Sequence, residues 1–194
     1  MTKQQAVGVN PTLIIGMGGT GKDVIMRVRR LIVEHYGSLD RMPVVAFLSI
    51  DTDDAPAGVP ERFLDQDISL KPEEKVILDT GNIPPILTNL AQYDYLSSWF
   101  PPDLTGIQDL KSGAKQIRAL GRLAYSLGYG AVKDATLAKV KAVTDRDRAK
   151  FMIDKYGLNV DQGVNVFLVS SLCGGTGSGM YLDMAYCLKH WFKY

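Results

Sequence analysis

"SSLCGGTGSGMYLD", Ser170–Asp183, is the stretch on which the reading of this chain turns. Every residue from Gly174 to Gly179 is glycine, threonine or serine, so the backbone there carries almost no side-chain bulk. Successive N–H groups of such a segment can turn inward and form a concavity for an anion. Before it runs "VNVFLVSS", Val164–Ser171, a continuous apolar stretch that suits a buried strand. After it, Tyr181, Met184, Ala185, Leu188 and Trp191 recur on one helical face. A strand, a glycine loop and a helix N-terminus in this order place backbone donors and a favourable dipole at one point, the arrangement that holds phosphates. A plain turn without a ligand is the alternative, but six small residues cost backbone entropy that an ordinary connection need not incur.

The same unit occurs near the start. "LIIGMGGTGKDV", Leu13–Val24, follows the apolar run Thr12–Gly16 and leads into a helix predicted over Lys22–Tyr36. In that helix Val24, Val28, Leu31, Ile32 and His35 share a face, Arg27, Arg30 and Glu34 fall largely opposite, and Gly37 is the stop. "PVVAFLSID", Pro43–Asp51, is a second β-branched and aromatic run, so strand, helix and strand succeed one another as in a right-handed crossover. The expected fold is α/β: a Rossmann-like, doubly wound, mainly parallel sheet with helices on both faces. Helices are predicted over Arg118–Leu127, Asp134–Val143 and Asp145–Tyr156, the last with a charged, solvated face. Residues 58–112 hold proline pairs in "NIPPILTNL" and "SSWFPPDL" and read as an irregular insertion with at most a short helix or strand. Its aromatics Tyr93, Tyr95, Trp99 and Phe100 either mark a partner surface or pack the insertion against the body.

Composition narrows the function classes. The 194 residues carry 22 basic and 21 acidic side chains, a net charge of +1, which gives no electrostatic footprint for nucleic acid or for a membrane surface. No apolar run reaches the roughly 18 residues of a membrane span. Two cysteines, Cys173 and Cys187, and the polar start "MTKQQ" show neither a disulfide framework nor a secretion signal, so the cytoplasm is the expected compartment. His35 and His190 stand alone, and no metal-ligand spacing or nucleophile with a matching base is visible.

Read singly, the N-terminal loop is ambiguous. Gly16, Gly21 and Lys22 fit the phosphate-loop pattern G-x-x-x-x-G-K-[ST], but Asp23 stands where the magnesium-binding hydroxyl belongs. Gly16, Gly18 and Gly21 fit the dinucleotide pattern, but Asp51 lies well beyond the position, about 20 residues on, where that fold places its ribose-binding acid. Neither pattern explains the second glycine loop. Asp51 and Asp53 close the second predicted strand, where a carboxylate can reach a phosphate-bound magnesium directly or through water; a turn or cap role is the alternative.

"CGGTGSG" resembles the loop G-G-G-T-G-[ST]-G of the tubulin and FtsZ superfamily, and three further segments agree in order. "IGMGGTGKDVIMR", Ile15–Arg27, is similar to the first nucleotide loop of FtsZ, with Lys22 and Asp23 where that family often has glycine and asparagine. "SIDTDDA", Ser49–Ala55, resembles the second loop, and "GAKQIRALGRLA", Gly113–Ala124, the third loop and its helix. The long insertion is similar to that of divergent bacterial tubulin-like proteins. The resemblance implies a GTP-binding domain of a filament-forming protein, with GTP and Mg2+ as cofactors and head-to-tail self-association. It assigns the nucleotide to Gly16, Met17, Gly18, Gly19, Thr20, Gly21 and Lys22, to Asp51 and Asp53, which also serve the metal, to Gly113, Ala114 and Lys115, and to Cys173, Gly174, Gly175, Thr176, Gly177, Ser178 and Gly179. Cys173 departs from the first glycine of the pattern. The family's purine-contacting helix and the catalytic loop of its second domain follow the fourth helix, within which this sequence ends, so the expectation is the first part of the domain, with no catalytic residue of its own. A non-hydrolysing nucleotide-dependent scaffold, a phosphate-loop NTPase and a dinucleotide oxidoreductase stay open.

Overall fold

The computed structural model describes residues 8–110 and 113–192. Its centre is a four-stranded parallel sheet. Strand β2 (Thr12–Met17) pairs along its whole length with β3 (Val45–Asp51) on one side and β8 (Asn165–Ser170) on the other. The short β6 (Lys75–Ile77) adds to the outer side of β3. Small additions are a parallel pair, β1 (Gly8–Val9) with β7 (Asn159–Val160), and a hairpin, β4 (Arg62–Phe63) with β5 (Gln66–Asp67).

Alternation along β2 and β3 divides the core. Leu13, Ile15, Met17, Leu48 and Ile50 point to the face covered by helix α4 (Arg118–Val143) and helix α6 (Thr176–Trp191), meeting Leu120, Leu123, Met180 and Met184. Phe47, Ile14 and Val45 point to the face covered by helix α1 (Gly18–Tyr36), meeting Ile25, Met26 and Val33. A parallel sheet with helices on both faces is the architecture expected from the sequence. Short helices α2 (Pro84–Thr88) and α3 (Asp94–Ser97) follow β6, and α5 (Arg146–Tyr156) follows α4, its N-terminus capped by the Asp145 carboxylate.

Several expectations are corrected. Helix α1 starts at Gly18, not Lys22, so the first glycine loop is largely the first turn of the helix. Its buried face is Ile25, Met26, Arg29 and Val33, whereas Leu31 and His35 are exposed. The phase is set by two glycines: a Cβ on Gly16 would strike the Gly21 backbone, and one on Gly21 would lie 2.6 Å from the Val169 carbonyl oxygen. Arg29 can be buried because its Nη1 meets Glu74 at 2.9 Å, its Nε and Nη2 donate to the carbonyls of Ile68 and Ser69, and its guanidinium lies over the Phe47 ring. Strand β8 is the outer strand of the sheet, and Phe167 on it is 54% exposed, so it is not buried on both faces.

The two helices predicted over 118–127 and 134–143 are one, continuous through Gly128 and Gly130. Gly128 lets Leu78 pack against that helix, which offsets the low helix propensity of glycine. Residues 58–112 hold more order than expected, since β6 belongs to the main sheet; Lys111 and Ser112 lie outside the described residues. Phe100 and Leu96 are buried in the core and Trp99 packs on it, the packing reading of the aromatic cluster, while Tyr95 is exposed.

Candidate functional site

The strands of the sheet end together, and four connections meet above their carboxyl ends around a cleft of about 280 Å³. This is where open α/β sheets carry their ligands. The end of β2 and the start of α1 contribute Met17, Gly18, Gly19, Thr20 and Lys22; the end of β3 and the loop after it, Asp51 and Asp53; the loop before α4, Gly113, Ala114 and Lys115; the loop before α6 and the first turn of that helix, Gly174, Gly175, Thr176 and Gly177. The sequence-predicted residues therefore converge from four distant places. Gly16, Gly21, Cys173, Ser178 and Gly179 do not line the cleft. Gly16 and Gly21 pack strand on helix, Gly179 lets α6 approach the Arg118 carbonyl of α4, the Ser178 hydroxyl donates to the Gly174 carbonyl, and Cys173 is exposed as a free thiol. Ala55, Pro56 and Ser171 also line it and escaped the sequence reading. Ala55 ends the "SIDTDDA" segment, Pro56 follows it and Ser171 lies two residues before Cys173, and nothing in their side chains marks them as ligand contacts.

Two helices aim their N-termini into this space. Neither α1 nor α6 has a side-chain cap hydrogen bond or an acidic residue in its first turn. The first N–H groups of each helix thus lack a side-chain cap and an acid in their own turn, a condition that favours an anion. A Cβ built on Gly19 or Gly174 meets nothing within 4 Å, so open space adjoins the backbone at both. Gly18, at φ 72°, and Gly113, at φ 83°, occupy the left-handed region that glycine tolerates. Lys115 adopts φ 51° beside them.

The loops brace one another. The Gly175 N–H donates to the Lys115 carbonyl at 2.8 Å, and a Cβ on Gly175 would fall 2.6 Å from the Ala114 carbonyl oxygen, so this glycine seats one loop on another. The hydroxyls of Thr52 and Thr176 are 3.0 Å apart and tie the end of β3 to the start of α6. Lys22, 4% exposed, donates from Nζ to the Ala55 carbonyl at 2.7 Å and lies 3.7 Å from Asp51 Oδ2. Asp23 accepts from the Gly58 N–H at 2.7 Å. The two residues that suggested a phosphate loop thus both hold the segment after β3 against α1. Burial pushes the Asp51 carboxyl above the ordinary carboxylate range; the Thr52 N–H opposes this, the charge of Asp53 adds to it, and the Lys22 ammonium again opposes it. Asp53 Oδ1 accepts from the Ala55 N–H at 3.0 Å. Among the described residues no group of three or more His, Cys, Asp or Glu could hold a metal ion.

A family model described as "Tubulin like" matches residues 13–194. The chain belongs to the tubulin-like family. The match spans the residues of all four loops and of both helix N-termini at the cleft. No curated protein and no solved structure was found to match the chain. No helix among the described residues of this tubulin-like chain is long and apolar enough to cross a membrane.

Proposed function

We propose that the cleft binds the phosphates of a nucleotide, GTP by family resemblance, and that the chain forms a nucleotide-binding domain of a self-associating protein. The observation that carries this reading is the pair of uncapped, acid-free helix N-termini that face one cleft beside the open backbone at Gly19 and Gly174. Thr20 and Thr176 bring hydroxyls to the same space, and Lys115 stands on its rim. Magnesium fits this donor set only in part. Of the two acids, Asp51 has Lys22 beside it, which leaves Asp53 to approach the ion, through water where the reach is long. Bound there, magnesium would screen the phosphate charge.

Binding without rapid hydrolysis is the expected behaviour of this chain. Phosphoryl transfer needs a positioned water and charge stabilisation around a closed site. The cleft offers a phosphate cradle, while Asp51 has the Lys22 ammonium beside it and Asp53 has one oxygen engaged by the loop backbone. Head-to-tail assembly belongs to the same reading, with a neighbouring copy completing the site. Equilibrium dialysis with labelled GTP and ATP, phosphate release over a range of protein concentrations, and nucleotide-dependent sedimentation test it. Saturable GTP binding with little turnover on dilution is expected. Absence of binding, or turnover per molecule that stays fast and constant on dilution, refutes it.

A further inference from the structure

We infer that Lys22 is a built-in counter-cation of the phosphate cleft, so that nucleotide binding here depends little on magnesium. The inference rests on the proposed phosphate-binding role of the cleft and adds the source of its positive charge.

A lysine side chain leaves water at a large cost unless its charge is used. Lys22 is almost wholly buried, yet its Nζ has one close acceptor, the Ala55 carbonyl, and the Asp51 carboxylate at 3.7 Å is beyond a direct hydrogen bond. An ammonium has three donors, so this one retains donor capacity. Lys22 also lines the cleft, one turn into α1, together with Gly18 and Gly19 of the same helix and Thr176 at the start of the other. One positive charge of the cleft lining is therefore fixed in place by the fold, in the space that both helix N-termini border. The metal side of the site is sparse by comparison. Both acids line the cleft, but the buried Asp51 has the Lys22 ammonium 3.7 Å from its Oδ2, and Asp53 has one oxygen engaged by the loop backbone. A divalent cation and a buried ammonium would compete for the same carboxylate. The geometry favours the ammonium, with Asp51 acting as its positioning partner.

The consequence is a sign that separates the two roles of Asp51. As a magnesium ligand, its neutralisation weakens binding in the presence of the metal. As the partner that offsets Lys22, its neutralisation leaves the ammonium free for phosphate and strengthens binding.

The test measures Kd for labelled GTP by equilibrium dialysis, in excess magnesium and in excess chelator, for the parent chain, Asp51→Asn, and the double variant Lys22→Met/Asp51→Asn. The double variant removes both charges, so no unpaired buried carboxylate remains to unfold the protein, and circular dichroism checks its fold. The parent should lose no more than about threefold in affinity on chelation, while the double variant should lose about tenfold or more, the usual weight of a hydrogen bond to a charged group. Asp51→Asn should bind GTP several-fold more tightly than the parent in chelator. Equal magnesium dependence of parent and double variant would show that Lys22 acts only as a strut for the Ala55 loop and overturns the inference. Loss of binding by Asp51→Asn confined to magnesium overturns it too, because Asp51 is then a metal ligand. A parent chain that binds no GTP in either condition removes the phosphate-cleft reading as well, whereas a parent that binds only with magnesium removes this inference alone.

Discussion

Two adjacent glycines separate what the cleft needs for folding from what it needs for a ligand. On Gly175 an added Cβ would fall 2.6 Å from the Ala114 carbonyl oxygen, 2.7 Å from that of Lys115 and 2.8 Å from the Ile117 nitrogen. All three are backbone atoms, which cannot swing aside, so Gly175→Ala must push the loop before α4 away from α6. Overpacking of this kind costs about 1–3 kcal/mol, and loss of the Gly175 N–H bond to Lys115 adds about 1 kcal/mol. For a domain of this size each kcal/mol lowers Tm by about 2–4 °C, so a fall of about 5–15 °C is expected. On Gly174 the same Cβ meets nothing within 4 Å. Gly174→Ala should keep or slightly raise Tm, by the reduced freedom of the unfolded chain, and Gly174→Val should keep the fold while weakening GTP binding about tenfold or more by crowding the phosphate space. Thermal melts followed by circular dichroism, with dialysis on the folded variants, provide the measurement. A Gly175→Ala chain as stable as its parent would refute the packing argument. A Gly174→Val chain that binds GTP as the parent does would show that open space at this backbone is not where phosphate sits.

Other consequences follow from the fold. Arg29→Met leaves Glu74 and the carbonyls of Ile68 and Ser69 without their donor, so chemical denaturation should show a loss of about 3–5 kcal/mol, and Arg29→Met/Glu74→Met a smaller loss than the two single variants added together. Burial raises the Asp51 pKa from 3.8, so the unfolded chain releases that proton first as pH rises, and Asp51 lowers stability from that point upward. Asp51→Asn should therefore be more stable than the parent at neutral pH, with the advantage shrinking as pH falls toward 3.8. Gly130→Ala, at a site in α4 with nothing within 4 Å of the added Cβ, should raise stability by about 0.5–1 kcal/mol, and a loss instead would mean that α4 breaks there.

The parts of this molecule that are local in sequence were legible and the parts that depend on distant partners were not. β2, β3 and β8 are short, mainly apolar runs rich in β-branched and aromatic residues, and their type follows from that composition together with run length. The inward face of α1 does not. A period count treats Arg29 as polar and rotates the helix away from it, because the Glu74 that makes its burial tolerable lies 45 residues on. The break expected near Gly128 and Gly130 fails for a related reason. Glycine costs about 1 kcal/mol in a helix, which tertiary packing of Leu78 and the helix on either side readily outweighs. For the cleft, the glycine pattern locates the loops but cannot tell Gly174, beside open space, from Gly175, pressed on backbone, since both are simply small.

Lys22 and Asp23 both hold the segment after β3. They depart from the glycine and asparagine often found at this place in the resembled family, and read alone they imitate a phosphate loop that lacks its magnesium hydroxyl. In space, Asp23 secures the Gly58 N–H and Lys22 secures the Ala55 carbonyl, so both departures bind the segment after β3 to α1. A side chain that fixes a loop from within a ligand cleft has to satisfy two demands at once: it must be buried enough to hold the loop and charged enough to matter to what enters. Asp23 meets only the first, because the Gly58 contact lies outside the cleft lining. Lys22 meets both, buried at 4% exposure and still lining the cleft. Of the two, then, it is Lys22 whose removal should change how binding responds to magnesium, while Asp23→Ala should loosen the loop and weaken binding equally with and without the metal.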